Sequence, residues 1–157
     1  MSNQIRILVI DDDVYITKVL AAILEDKGYN VDIAGTGTEA ITKTQKNLYD
    51  IMLVDIRLPD MEGTEILSRV RDTTPKIRKI IITGYPTLQN AITAINKGAD
   101  AYILKPFDVK KMLATIKEQI EKQKQERKFS EERVAEFIET RAEEMTYVES
   151  MNKLLKE

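Results

Sequence analysis

Five short apolar runs alternate with stretches of helical periodicity up to Pro106, and beyond that proline the chain changes character. The runs are Ile5–Ile10, Val31–Ala34, Ile51–Val54, Ile80–Ile82 and Ala101–Leu104. Four of them are nearly continuous, which suits strands buried on both faces and hence a parallel sheet. Between the runs, Val19, Leu20, Ile23 and Leu24 make an apolar helical stripe that stops at Gly28. Thr36 with Glu39 reads as a capping box opening a second helix. Ile66, Leu67 and Val70 mark a third, Leu88, Ala91, Ile92 and Ile95 a fourth, and Met112, Leu113, Ile116 and Ile120 a fifth. Five strands alternating with five helices predict a doubly wound α/β domain, with right-handed crossovers placing helices on both faces.

All six glycines and all four prolines lie at or before Pro106. From Lys117 to Glu157 there are nine basic and eleven acidic residues, against fifteen and fifteen in the first 116. Gln123 to Arg133 contains Phe129 as its one apolar residue. Val134, Ile138, Arg141, Met145, Val148, Asn152 and Leu155 then recur at alternating steps of four and three, a coiled-coil seam weakened by Arg141 and Asn152. Ser130 can cap a fresh helix, so one long helix and two helices are both open. The expected division is a globular domain over residues 1–121 and a helical extension over 122–157.

The composition removes several kinds of chemistry. With no cysteine there is no disulfide, thiolate metal site or thiol nucleophile. With no histidine there is no HExxH zinc site, histidine triad or phosphohistidine carrier. A net charge of −2 argues against a general polyanion binder. The longest early apolar stretch is far too short to span a bilayer and runs at once into three aspartates, so a cytoplasmic protein with no membrane partner is expected.

In an open parallel sheet, function gathers at the carboxyl ends of the strands. There stand Asp11, Asp12 and Asp13 after the first strand, Asp55 after the third, Thr83 after the fourth and Lys105 after the fifth. Taken singly, an aspartate after a strand is most often a helix cap. Their joint occurrence asks for more. Carboxylates converging on one cleft repel each other and require a cation, and a hard ion such as Mg²⁺ is the natural oxygen-liganded choice. With a lysine and a threonine from neighbouring strands, such a cleft can stabilise a transferring phosphoryl group, and a carboxylate can be the attacking group, forming an aspartyl phosphate.

The runs LVIDDD, LVDIRLPDMEG, IIITGY and GADAYILKPF, in that order, resemble the receiver domain of two-component response regulators over about Ile5 to Glu121. The resemblance implies a flavodoxin-like five-stranded sheet of order 2-1-3-4-5. It implies that Asp55 is the phosphoacceptor and that Mg²⁺ is held by Asp12 directly, by Asp11 through water, by Asp55 and by the backbone carbonyl of Arg57. Thr83 and Lys105 would each bind a phosphoryl oxygen, and Lys105–Pro106 would be a cis peptide. Tyr102 stands at the aromatic switch position, coupled to Thr83, with the fourth helix, fifth strand and fifth helix as the output face. Asp13 has no metal role in this scheme and is expected to cap the first helix.

Arg57 and Tyr85 depart from commoner choices at positions flanking the attacking water, and both are expected to slow aspartyl-phosphate hydrolysis. The expected donor is a histidine kinase or a histidine phosphotransfer protein. The extension suggests a homodimer, with no direct nucleic-acid binding by these residues. The expected chemistry is self-phosphotransfer and autodephosphorylation, not turnover of a free substrate. A haloacid-dehalogenase-type phosphatase would use Asp11 as nucleophile, with Asp11-x-Asp13 as its opening motif, but lacks its late acidic pair here. A receiver-like dimerisation scaffold that no longer cycles is the other alternative. The chain is expected to be either a stand-alone receiver or the receiver and linker of a longer regulator.

Overall fold

Every apolar run is a strand, and each strand pairs in parallel with its neighbours. The computed structural model describes residues 4–70, 76–84, 86–106 and 108–156. In it β1 (Arg6–Ile10), β2 (Asn30–Ala34), β3 (Ile51–Asp55), β4 (Arg78–Thr83) and β5 (Ala101–Leu104) form one sheet of order β2-β1-β3-β4-β5. The registers pair Ile10 with both Ala34 and Val54, Asp55 with Ile82, and Thr83 with Leu104. The carboxyl ends of β1, β3, β4 and β5 therefore lie side by side, as a doubly wound sheet requires.

The alternation of side chains along each strand divides the core in two. One layer holds Ile7, Val9, Ile51, Leu53, Ile80 and Ile82 against Leu20 and Leu24 of α1 (Val14–Asp26) and Met112, Ile116 and Ile120 of α5 (Val109–Leu155). The other holds Leu8, Ile10, Met52, Val54 and Ile81 against α2 (Gly37–Lys46), α3 (Gly63–Arg69) and α4 (Leu88–Asn96). Most of these side chains are fully buried, each contributing about 1.5–3 kcal/mol through loss of apolar surface to water.

The caps follow the local sequence. Asp13 accepts from the N–H groups of Tyr15 and Ile16 and closes the start of α1. Thr36 accepts from Glu39 N–H, the first half of a capping box, while the Glu39 carboxylate reaches one residue past the cap to accept from Gly35 N–H. Gly28 stands just past α1 at φ +89°, a left-handed turn that suits glycine.

Two of the expected helices bury only part of their apolar residues. On α1 the fully buried positions are Thr17, Leu20, Ala21 and Leu24, and Val19 is exposed. On α4 the apolar residues Leu88, Ile92 and Ile95 are exposed, and Ala94 is the buried one. α4 packs against the β4–β5 end of the sheet, where a small side chain lets the helix approach and leaves the larger ones outside.

Residues Val109 to Leu155 form a single 47-residue helix, which decides between one helix and two. Met112, Ile116, Gln119, Ile120 and Gln123 are its buried positions. The chain groups into two units, Met1–Gln123 and Lys124–Glu157. The first unit reaches Gln123 because two glutamine amides face inward there. Gln119 donates to the Asp100 carbonyl, and Gln123 donates to the carbonyls of Asp50 and Lys76. Within the second unit Val134, Ile138, Met145, Val148 and Leu155 are all exposed.

Candidate functional site

β1 ends where the Asp11 N–H bonds the Ala34 carbonyl, so Asp11 and Asp12 leave the sheet together. Asp11 is buried and Asp12 is exposed. β3 delivers Asp55 beside them, partly buried. One carboxylate oxygen from each of Asp11, Asp12 and Asp55 lies within 4.8 Å of the others. From β5, Lys105 places its ammonium 2.9 Å from Asp11 and 3.5 Å from Asp55. The Lys105–Pro106 peptide is cis. Asp13 points away into its cap and also donates its N–H to Asp11 Oδ1.

One ammonium meets two carboxylates of a cluster of three. Burial, followed by the charge of Asp11, pushes the Asp55 carboxyl above the ordinary range, against the pull of Lys105 and of the Arg57 N–H. Burial alone would lower the Lys105 ammonium, but its bonds and charge contact with Asp11 and Asp55 outweigh that and raise it. The donors are all hard oxygen and carry excess negative charge. Such a set fits a small divalent cation with oxygen preference.

The loop after Asp55 is tightly closed. Gly63 donates to the Ile56 carbonyl at 2.6 Å, and Arg57 pairs with Glu62 in an antiparallel bridge. A Cβ at Gly63 would lie 2.1 Å from the Asp55 carbonyl oxygen, so no larger residue fits this close to the end of β3. Arg57 itself is exposed. Tyr85 lies outside the described residues.

Thr83 is completely buried at the end of β4. Because Ile81 pairs with Tyr102 and Thr83 with Leu104, Thr83 and Tyr102 share one sheet face as diagonal neighbours on adjacent strands. The Tyr102 hydroxyl is buried and finds no hydrogen-bond partner among the described residues. The ring lines a cavity of about 230 Å³ with Ala91, Ile95, Ala99, Asp100 and Ala101.

The structure thus brings Asp11, Asp12, Asp55 and Lys105 to one point, and sets Thr83 and Tyr102 on neighbouring strands. Two polar groups escaped the sequence reading. Asp60 accepts from Gly37 N–H, Thr38 N–H and the Thr38 hydroxyl at 2.8–2.9 Å. Its helix lies 22 to 23 residues away in sequence, so no local pattern announces it. Gln123 lies on the same face as Ile116 and Ile120, and that periodicity was the available sign of its burial.

Residues 7–117 match the family model described as the response regulator receiver domain. The transcriptional regulatory protein ZraR of Klebsiella oxytoca is 36% identical over 116 residues, which cover 74% of this chain and 26% of that protein. TrcR of Mycobacterium tuberculosis, also a transcriptional regulatory protein, is 34% identical, covering 73% of this chain and 45% of its own length. The matched region thus spans less than half of either relative. Among solved structures, a CheY-like response regulator receiver domain protein from Methanospirillum hungatei is 43% identical, with a TM-score of 0.76 over 79% of this chain and 99% of that one. Vibrio cholerae CheY4 gives 27% identity and a TM-score of 0.69, covering 73% and 98%. With its sheet order, its carboxyl-edge acidic cluster and its family match in agreement, this chain belongs to the response regulator receiver domain family of two-component signalling.

Proposed function

We propose that Asp55 accepts a phosphoryl group from a phosphohistidine on a histidine kinase or phosphotransfer protein. The observation that carries this reading is the meeting of Asp11, Asp12, Asp55 and Lys105 at one strand edge. A carboxylate oxygen of Asp55 forms the new P–O bond as the donor's P–N bond breaks, and the imidazole leaves with the electron pair. Asp11, Asp12, Asp55 and the Arg57 carbonyl would hold Mg²⁺, which supplies charge neutralisation for the phosphoryl oxygens when bound. Lys105 offers its ammonium to one phosphoryl oxygen and Thr83 its hydroxyl to another. Movement of Thr83 opens space for the Tyr102 ring on the same sheet face, the local event that becomes a signal.

Acetyl phosphate with Mg²⁺ tests the acceptor directly. Wild type should gain a single acid-stable, base-labile phosphoryl adduct, absent from Asp55→Asn. Labelling of Asp11 instead would overturn the assignment. For the water-restricting role of the Arg57 side chain, the readout is dephosphorylation. Arg57→Ala should lose phosphate faster, and an unchanged rate removes that role.

The exposed Val134–Leu155 seam supports a homodimer formed through the extension. Since the relatives named are transcriptional regulatory proteins, this chain would serve as the receiver and linker of such a regulator, without contacting nucleic acid itself. Light scattering with and without beryllofluoride tests the assembly, and a monomer in both states would overturn it.

A further inference from the structure

Asp60 sits at the far end of the closed loop that starts from Asp55. The base of that loop is held by Gly63 donating to Ile56 and by the Arg57–Glu62 bridge. Its tip is held by something outside the loop. The Asp60 carboxylate takes the first two N–H groups of α2, from Gly37 at 2.8 Å and Thr38 at 2.9 Å, together with the Thr38 hydroxyl at 2.8 Å. Thr36 takes the next N–H, that of Glu39. Beside Asp60, Met61 lies so close to Gly37 that a Cβ there would come within 2.4 Å of Met61 Cγ. The start of α2 is therefore built around this loop, through polar contacts at Asp60 and packing at Met61.

From this geometry we infer that Asp60 is a positioning residue for the metal site, clasping the loop to α2 so that the Arg57 carbonyl at its base is held ready for the cation. The inference rests on the proposed Mg²⁺ role of that carbonyl. A loop anchored at both base and tip has one arrangement, whereas one anchored at its base alone can pivot, and the carbonyl moves with it. Supports of this kind around metal ligands commonly govern affinity without touching the ion. The three donors also draw the Asp60 carboxyl down to about 2, so it is ionised and accepting at neutral pH.

The test is calorimetric titration of the full chain with MgCl₂ at neutral pH, read beside thermal unfolding. Asp60→Ala should weaken Mg²⁺ binding by about tenfold, the low end for loss of a group supporting a metal ligand. Asp60→Asn keeps one acceptor oxygen and should fall between the two. Thr36→Ala removes a cap from the same helix without touching the loop. It should lower the melting temperature while leaving Mg²⁺ affinity at the wild-type value, an effect that a purely structural role for Asp60 would reproduce. Wild-type affinity in both Asp60 variants, or an equal loss in Thr36→Ala, overturns the inference while the metal site stands. If Asp60→Ala does not fold, the Asp60→Asn titration alone decides. A wild-type chain that binds no Mg²⁺ overturns the metal reading and this inference with it.

Discussion

The Lys105 ammonium rests on Asp11 at 2.9 Å and stands 3.5 Å from Asp55, so the lysine of the fifth strand is engaged mainly with the first. It bridges the ends of strands that are not neighbours in the sheet, across the ends of β3 and β4. In this arrangement Lys105 relieves repulsion among carboxylates that a cation would otherwise have to relieve.

Removing that relief should be costly in metal-free protein. Lys105→Ala is expected to lose about 1–2 kcal/mol, between the value of an exposed ion pair and that of a buried pair broken on one side. Saturating Mg²⁺ should return part of the loss. Urea unfolding in EDTA and in MgCl₂ measures both. An equal loss in the two conditions would mean that the lysine stabilises the fold by packing.

Asp55 makes the complementary case. Its folded-state carboxyl is raised by burial and by Asp11, so its ionisation opposes folding. Its favourable contribution is complete below the ordinary carboxyl value near 4 and is lost as pH rises through the folded one. Asp55→Asn should therefore gain stability over wild type as pH rises from about 4 to 7, with the difference shrinking in Mg²⁺. The same variant should take no phosphoryl group from acetyl phosphate. Melting curves across that pH range, with and without metal, are the check.

The Tyr102 hydroxyl is buried with no partner among the described residues, and burial raises its pKa. An unsatisfied buried hydroxyl costs about 1–3 kcal/mol. Tyr102→Phe keeps the ring and should raise stability by about 1 kcal/mol, recovering the lower part of that range because the residue is only partly buried. A loss of stability on chemical denaturation would show that the hydroxyl is satisfied in solution.

Gln123 holds two carbonyls, those of Asp50 before β3 and Lys76 before β4. Gln123→Ala removes the amide donor from the Lys76 carbonyl, while the Asp50 carbonyl keeps the Arg78 N–H, and should cost about 1–3 kcal/mol. Gln125→Ala, exposed on the same helix, should be neutral within about 0.5 kcal/mol. Urea midpoints of the two variants separate lost hydrogen bonds from lost helix propensity.

Much of this molecule was legible from the chain. Continuous apolar runs can be satisfied only by burial on both faces, so the strands and the parallel sheet followed from residues such as Ile51 to Val54. The polar residues stepping out of those runs marked the carboxyl edge, and Asp13 and Thr36 announced their own helix starts. The apolar residues of α4 marked the helix correctly, but periodicity does not tell how much of an apolar face the sheet covers.

Sequence alone determined the element order, the strand cores and the chemical types at the strand ends, because those depend on burial and on neighbours a few residues apart. Tertiary structure alone decided that Lys105 would bond Asp11 across 94 residues, that Asp60 would clasp α2, and that Gln119 and Gln123 would face inward. Each of these is a polar contact between segments far apart in the chain. The donors and acceptors are common, and only their meeting in space selects one partner from many.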